Sequence, residues 1–327
     1  MTLEQGEKKM VMTFNDKFTQ CVQNLNSIDK PDCSRDETNQ FADFVELLVI
    51  FSKGDGVAYG DILDRFFGEL DENNSSERND ANELFIDGIF SLIEERKDLY
   101  GDQYPFEVGK EQIITLKREL SLPQKLYLFL LISSSLNIFK SFNAEITTDF
   151  EMVSYEAIKS FLPNAIVKSF GKLSEYKGNA KEKIRNLADD IGLQTNDYEI
   201  ECVGKRNVQD RGLDIVSWIP FEDKCQNKII FLCQCACGKR FEYKQHELRR
   251  YIKYYIFYNT KPQFTLFVPY SLINPRENKF YKSDYIEEGY LIFERLRIIS
   301  LAKKRDDVFA LLKSTCLIER CIQYYCT

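Results

Sequence analysis

The chain has 327 residues, with 44 Lys and Arg against 51 Asp and Glu, and a formal net charge of −7. Its length allows two ordinary domains or one large one. The negative balance argues against nucleic-acid binding through bulk positive charge, because such binding uses clustered Lys and Arg to displace counterions from phosphates. An acidic protein with a local basic surface is still compatible with nucleic-acid binding.

The cysteines and the apolar runs indicate the compartment. Ten cysteines occur without an apolar signal stretch after Met1, which predicts reduced thiols in a cytoplasmic protein. The longest apolar run, 126–138, is interrupted by three serines, so it predicts a buried helix and no membrane association. His246 is the single histidine, which excludes metal sites and mechanisms that need two.

The first half of the chain has mainly helical patterns. Residues 1–40 are polar and predict a loosely packed lead-in. Apolar spacing then predicts helices over 41–51, 59–70, 81–99, 111–120, 123–139 and 147–161. Helices joined by a Gly turn also occur in DNA readers, but the second helix has Asp61 and Asp64 against a single Arg65, and this acidic surface would repel phosphates.

A boundary near Pro163 divides the predicted fold. Residues 1–163 are predicted to form a mostly helical sensing or partner domain, and 164–327 a second domain, which makes the class α+β. In the second domain we predict strands over 165–170, 198–203 and 264–268, and helices over 179–191, 241–258 and 306–325.

Two apolar stretches of the second domain each have one polar residue at the centre. They run over 211–218 and 231–239, with Asp214 and Gln234 as the polar residues, and the connection that starts at Pro220 predicts a hairpin. Because side chains alternate along a strand, Asp214 and Gln234 are predicted to share one face, with Cys233, Cys235 and Cys237 buried on the other. A carboxylate and an amide oxygen side by side are typical of Mg²⁺ ligands.

The Gly212-Leu213-Asp214 strand followed by a strand with Gln234 resembles the PD-(D/E)XK phosphodiesterase superfamily, and within it the Mrr-like group with Gln in place of the second acid. The resemblance covers roughly residues 160–300 and implies a restriction-endonuclease-like α/β domain with a mixed central sheet. It implies that Asp214, Gln234 and the carbonyl of Cys235 bind Mg²⁺ or Mn²⁺.

Two further parts of the family site have candidates in this chain. The family uses a glutamate from a helix before the strands, for which Glu182 is the candidate. Where the family has a lysine two residues after the Gln, this chain has Ala236, and Lys239 is the nearest replacement. The basic residues that flank the strands predict a positive cleft that contacts DNA: Lys205, Arg206, Arg211, Lys244, Arg249 and Arg250.

Two functions stay open from the sequence. The first is a metal-dependent DNA endonuclease of restriction or anti-phage defence type. The second is a catalytically inactive nuclease fold that binds nucleic acid or assembles a defence complex, and Ala236 in the lysine position favours it. Asp214 also has a structural alternative as a turn cap or a partner of Arg211, and Gln234 has one as a buried amide bonded to backbone.

Overall fold

A five-stranded mixed sheet packed against helices forms the centre of the molecule. A computed structural model of the chain describes residues 12–68, 76–109, 111–204, 212–223, 225–258, 260–281 and 283–327. Over these ranges the architecture is mixed α/β. No helix within them combines the length and the apolar character that a bilayer crossing requires.

The helices and strands of the described residues are as follows. The helices are α1 Phe14–Asn26, α2 Thr38–Ile50, α3 Tyr59–Phe67, α4 Ser76–Tyr100, α5 Leu122–Ser133, α6 Asn143–Phe161, α7 Ala180–Ile191, α8 Asp197–Glu201, α9 Gln245–Leu248, α10 Tyr251–Tyr254, α11 Arg295–Ala302 and α12 Thr315–Tyr325. The strands are β1 Val57–Ala58, β2 Phe106–Val108, β3 Ile113–Leu116, β4 Ile166–Ser169, β5 Gln194–Thr195, β6 Ile215–Trp218, β7 Ile230–Cys235, β8 Tyr255–Ile256, β9 Gln263–Phe267, β10 Ile273–Asn274, β11 Lys279–Phe280 and β12 Tyr290–Phe293.

Several predicted elements differ from the observed ones, among them the helix predicted over 306–325, of which only α12, from Thr315, is α-helical. The helix predicted over 111–120 is strand β3, because β1 and β2 pair with it on its two sides. The strand predicted over 198–203 is helix α8, which Asn196 caps by accepting a hydrogen bond from the Glu199 amide. The helix predicted over 241–258 is divided into α9, α10 and β8, and the polar lead-in contains α1, capped by Thr13.

The central sheet has the strand order β12-β9-β7-β6-β4. Strands β4, β6 and β7 pair antiparallel, and β7, β9 and β12 pair parallel. The predicted hairpin between β6 and β7 is confirmed, with Ile215 opposite Cys233 and Trp218 opposite Ile230. These strands are apolar because helices cover both faces of the sheet.

The two faces of the sheet pack against different helices. On one face, Ile215, Cys233 and Phe267 join a core that contains residues of α5, α6 and α11; we call this the α6 face. On the other, Val216 and Leu232 join a second core with residues of α7 and α10, and we call this the α7 face. The division at residue 163 stays a prediction, and α11 packs on α5 and α6 across it.

A buried network of charges connects the N-terminal helices to α11. Arg295 is fully buried, and its guanidinium donates to both carboxylate oxygens of Asp43, at 3.1 and 2.8 Å. Arg96 of α4 contacts Asp43 and Glu46 of α2, each at 2.8 Å. Tyr104 and Tyr127 donate to Glu46. Each buried charge therefore has an oppositely charged neighbour and hydrogen bonds, which burial requires.

The pKa of Asp43 predicts how this network responds to acid. Burial opposes its ionisation, but Arg295 and Arg96 together hold the pKa of the Asp43 carboxyl below its usual value. A carboxyl with a lowered pKa stabilises the fold above its unfolded pKa of about 4 and loses this contribution as the pH falls through its folded pKa. Urea unfolding over a series of acidic pH values should therefore show a steeper loss of stability for the wild type than for Asp43→Asn, and equal slopes would contradict the assignment.

Candidate functional site

Asp214 lies at an irregular point of the sheet, directly before β6. Its amide donates to the carbonyl of Cys233 at 2.9 Å, although Cys233 is the register partner of Ile215. Asp214 and Ile215 therefore both oppose Cys233 of β7, and this two-against-one arrangement is a β-bulge. The extra residue shifts the alternation, so that Leu213 joins the core of the α7 face and the Asp214 side chain turns to the α6 face with Ile215.

The neighbours of the Asp214 carboxylate belong to the α6 face. Its Oδ2 accepts a hydrogen bond from the Cys235 amide at 2.7 Å. The amides of Phe170 and Gly171 both donate to the Asp214 carbonyl, at 2.7 and 2.9 Å, and this brings Gly171 beside the side chain. A Cβ on Gly171 would lie 2.8 Å from Asp214 Oδ1 and 3.1 Å from Oε2 of Glu151, which extends from α6. Two carboxylates therefore converge on this glycine.

Gln234 lies on the α7 face. It is 2% exposed, and its Nε2 donates to Glu247 Oε2 of α9 at 2.8 Å. The prediction that Asp214 and Gln234 share a face is therefore wrong, and so is a metal site built from both. Strict alternation of side chains would have put Asp214 and Gln234 on one face. The bulge adds one residue to the Asp214 strand, so Asp214 points to the opposite face.

Glu182 has a local role instead of the predicted one. Its carboxylate accepts from the Asn179 amide at 2.8 Å, and Asn179 caps the start of α7 in return. Helix α7 packs in the core of the α7 face, so the prediction that Glu182 joins Asp214 is wrong. The helical acid beside Asp214 is Glu151, which the sequence analysis did not predict. The feature that could have indicated it is the position of α6 directly before β4, the first strand of the sheet in chain order.

A lysine accompanies the two carboxylates, but it is Lys172 and not Lys239. The Lys172 amide donates to Glu151 Oε2 at 3.2 Å, and its Nζ lies 4.0 Å from Glu151 Oε1. The same Nζ donates to Thr147 Oγ1 of α6 at 2.7 Å. Lys239 instead lines a cleft together with Asp43 and Tyr270, towards α2.

The three alternating cysteines pack on the α6 face, as predicted for the face opposite Gln234. Cys233, Cys235 and Cys237 all contribute to that core. Burial raises the pKa of each thiol, and the nearby charge of Asp214 raises it further. Cys235 and Cys237 are therefore neutral small groups beside Asp214 at neutral pH.

The basic residues predicted to contact DNA are only partly described. Lys205, Arg206 and Arg211 lie outside the described residues. Lys244 is paired with Glu247 at 3.0 Å, and Arg249 with Glu287 at 2.5 Å; both side chains are half exposed. Glu247 also accepts from Gln234, which places the Lys244–Glu247 pair on the α7 face, across the sheet from Asp214. Arg250 is exposed between α9 and α10. A single positive cleft around Asp214 stays a prediction.

The donor set beside Gly171 suits a hard divalent cation. In the ranges that the structure describes, no group of three or more His, Cys, Asp and Glu side chains is arranged to hold a metal. Mg²⁺, however, is commonly bound through one or two carboxylates and keeps several waters and substrate phosphate oxygens. Asp214 and Glu151 fit this pattern, and the missing Cβ of Gly171 leaves room between them.

The chain was compared with protein-family models, with curated proteins and with solved structures, and none of the three comparisons finds a match.

Proposed function

We propose that the protein is a metal-dependent phosphodiesterase that cleaves DNA, with Asp214 and Glu151 as the ligands of Mg²⁺ or Mn²⁺. The observation that carries this proposal is the convergence of the two carboxylates, from β6 and α6, on the space beside Gly171. The order of elements supports it, because α6 with its glutamate and β4 precede the Asp214 strand and β7 in the chain, with α7, β5 and α8 between β4 and β6, and the PD-(D/E)XK resemblance implies such a helix before the strands.

The chain itself holds the two ligands in place. The Cys235 amide donates to Asp214 and the Lys172 amide donates to Glu151, so each carboxylate keeps its direction before a metal arrives. Bound there, the metal would supply Lewis-acid activation of a phosphate and a water of lowered pKa. The sheet and α6 bury the base of the site, while Asp214 itself stays partly exposed to solvent and substrate.

The direct test is cleavage of supercoiled and linear duplex DNA with Mg²⁺, with Mn²⁺ and with a chelator. We expect nicked or linear products only when a metal is present. Should the protein leave every DNA form intact in both metals, also at high enzyme concentration, the hydrolase proposal is rejected.

A second function is favoured by the residues on β7 beside Asp214. On the α6 face, Cys235 at the end of β7 and Cys237 two residues after it are neutral thiols, where a nuclease of the resembled family has an acid or Gln and a lysine. A nuclease fold kept for nucleic-acid binding or for assembly fits this loss. In that case DNA binds with a clear dependence on salt but is not cut.

The biological setting follows the same proposal. We place the protein in restriction or anti-phage defence in the cytoplasm, with the helices before residue 163 as the part that senses a target or binds a partner protein, and with α6 among them also supplying the proposed ligand Glu151. The packing of α11 and α12 on those helices supports a mechanical connection between the sensing part and the sheet.

The space beside Gly171 gives a further prediction. Gly171→Ala would place a methyl group within 2.8 Å of Asp214 Oδ1 and 3.1 Å of Glu151 Oε2, so one carboxylate has to move. We expect metal binding, measured by isothermal titration calorimetry, to weaken by about tenfold or more, the range seen when ligand orientation is disturbed. The control is Gly238→Ala, where nothing lies within 4 Å of the added Cβ. Equal effects of the two variants would contradict a site at Gly171.

A further inference from the structure

We infer that Lys172 provides the positive charge that stabilises the cleaved phosphate, in place of a strand lysine, whose position on the α6 face is occupied by Cys237. The inference rests on the proposed function and names a further catalytic residue for it. Lys172 follows Gly171 directly, and its side chain turns back over α6 to Thr147 and Glu151. The ammonium group thus lies at the edge of the carboxylate pair and not on a strand.

The position of Lys172 relative to β7 supports this role. Lys172 directly follows Gly171, whose amide donates to the Asp214 carbonyl at 2.9 Å. Cys237 lies on the α6 face, two residues after Cys235, whose amide holds Asp214. The Gly171 amide thus ties the backbone before Lys172 to Asp214, and the Lys172 ammonium lies by Thr147 and Glu151, on the α6 face where a lysine of β7 would also point.

The surroundings of Lys172 leave it available to a substrate. Its side chain is 51% exposed, while Glu151 is only 11% exposed, so the ammonium is the solvent-facing end of the cluster. Its hydrogen bond goes to a neutral hydroxyl, and its distance of 4.0 Å to Glu151 Oε1 is long for an ion pair. The neighbouring Lys168 is engaged differently, by Asp190 at 2.6 Å.

The reaction needs this charge only as an electrostatic partner. A water oxygen forms a new bond to phosphorus, and one P–O ester bond breaks to give a phosphate monoester and a free hydroxyl. The proton of the attacking water goes to solvent, and the leaving oxygen takes a proton from solvent. Lys172 stays protonated throughout and interacts with the negative charge that grows on the phosphate oxygens.

Two measurements test the inference, because Lys172→Met is expected to lower DNA cleavage without weakening metal binding. In Lys172→Met, single-turnover DNA cleavage should fall on the order of 10²-fold or more, as expected when one charge-stabilising donor is lost. Mn²⁺ binding in the absence of DNA should stay equal or become tighter, because a cation next to the two carboxylates has been removed. If Lys172 only positioned Glu151, metal binding would weaken together with cleavage, and the inference would be overturned.

Matched variants separate this inference from the proposed function. Lys239→Met makes the same chemical change in the cleft near α2 and should cleave as the wild type. Lys172→Arg keeps the charge and should recover part of the lost rate. Normal cleavage by Lys172→Met rejects the role of Lys172 while the nuclease proposal stands, whereas a wild type that never cleaves rejects the proposed function itself.

Discussion

Asp214→Asn should reduce metal-dependent DNA cleavage on the order of 10³-fold or more, because it removes one of the two proposed charged ligands of a metal whose catalysis contributes several kcal/mol to the transition state. Asn keeps the size of the side chain and one oxygen that can accept from the Cys235 amide, which Asp214 Oδ2 accepts at 2.7 Å. The loss is therefore expected in activity and not in folding. Initial rates of plasmid nicking, read beside thermal unfolding, measure both.

The same substitution on two helices tests which face of the sheet is the active one. Glu151→Gln should lower cleavage on a scale similar to Asp214→Asn, because both carboxylates lie beside Gly171. Glu182→Gln changes an acid of α7 that caps its own helix, and should cut DNA normally. A result in which Glu182→Gln is inactive and Glu151→Gln is active would refute the site on the α6 face.

Gln234→Leu completes this set of variants. It replaces the residue that the sequence predicted as a metal ligand, but which donates to Glu247 on the α7 face. We expect unchanged metal affinity, with at most a modest change in stability. Loss of metal binding in this variant would restore the pairing of Gln234 with Asp214.

The largest effect on stability is expected for Arg295→Met. Arg295 is fully buried and donates to both oxygens of Asp43, to the Pro269 carbonyl at 2.9 Å and to Ser134 at 3.3 Å. Without it, Asp43 and Glu46 share the single charge of Arg96 in a buried place. Breaking such a pair costs about 3–5 kcal/mol of unfolding free energy, because an uncompensated charge stays buried.

Equilibrium urea unfolding measures this loss directly. Lys17→Met is the control, since it breaks an ion pair with Glu145 at 3.3 Å whose side chains are about one-third exposed. Exposed pairs contribute less than about 1 kcal/mol. In addition, Asp43→Asn combined with Arg295→Met should be less destabilising than the sum of the two single changes. Full additivity would show that the buried pair is not coupled.

Sequence patterns alone determined much of the sheet. The alternation of apolar residues and the Pro220 connection predicted the hairpin of β6 and β7, and the apolar runs predicted β4 and β9. The row of cysteines was correctly predicted as a packed face opposite Gln234. Helices α2 and α6 were also predicted near their observed bounds, and the apolar run of 123–139 predicted α5, which ends earlier, at Ser133. These features depend on local periodicity, which the chain carries in its order of residues.

Only the tertiary structure decided which side chains form the candidate site. A single extra residue at Asp214 moved its carboxylate to the α6 face, and alternation along a strand cannot reveal a bulge. Glu151 and Lys172 joined Asp214 because α6 and the end of β4 meet there, although the three residues are far apart in sequence. The partners of Arg295 likewise come from α2 and from Ser134, the residue that follows α5. Contacts of this kind depend on how whole elements pack, and no local pattern encodes them.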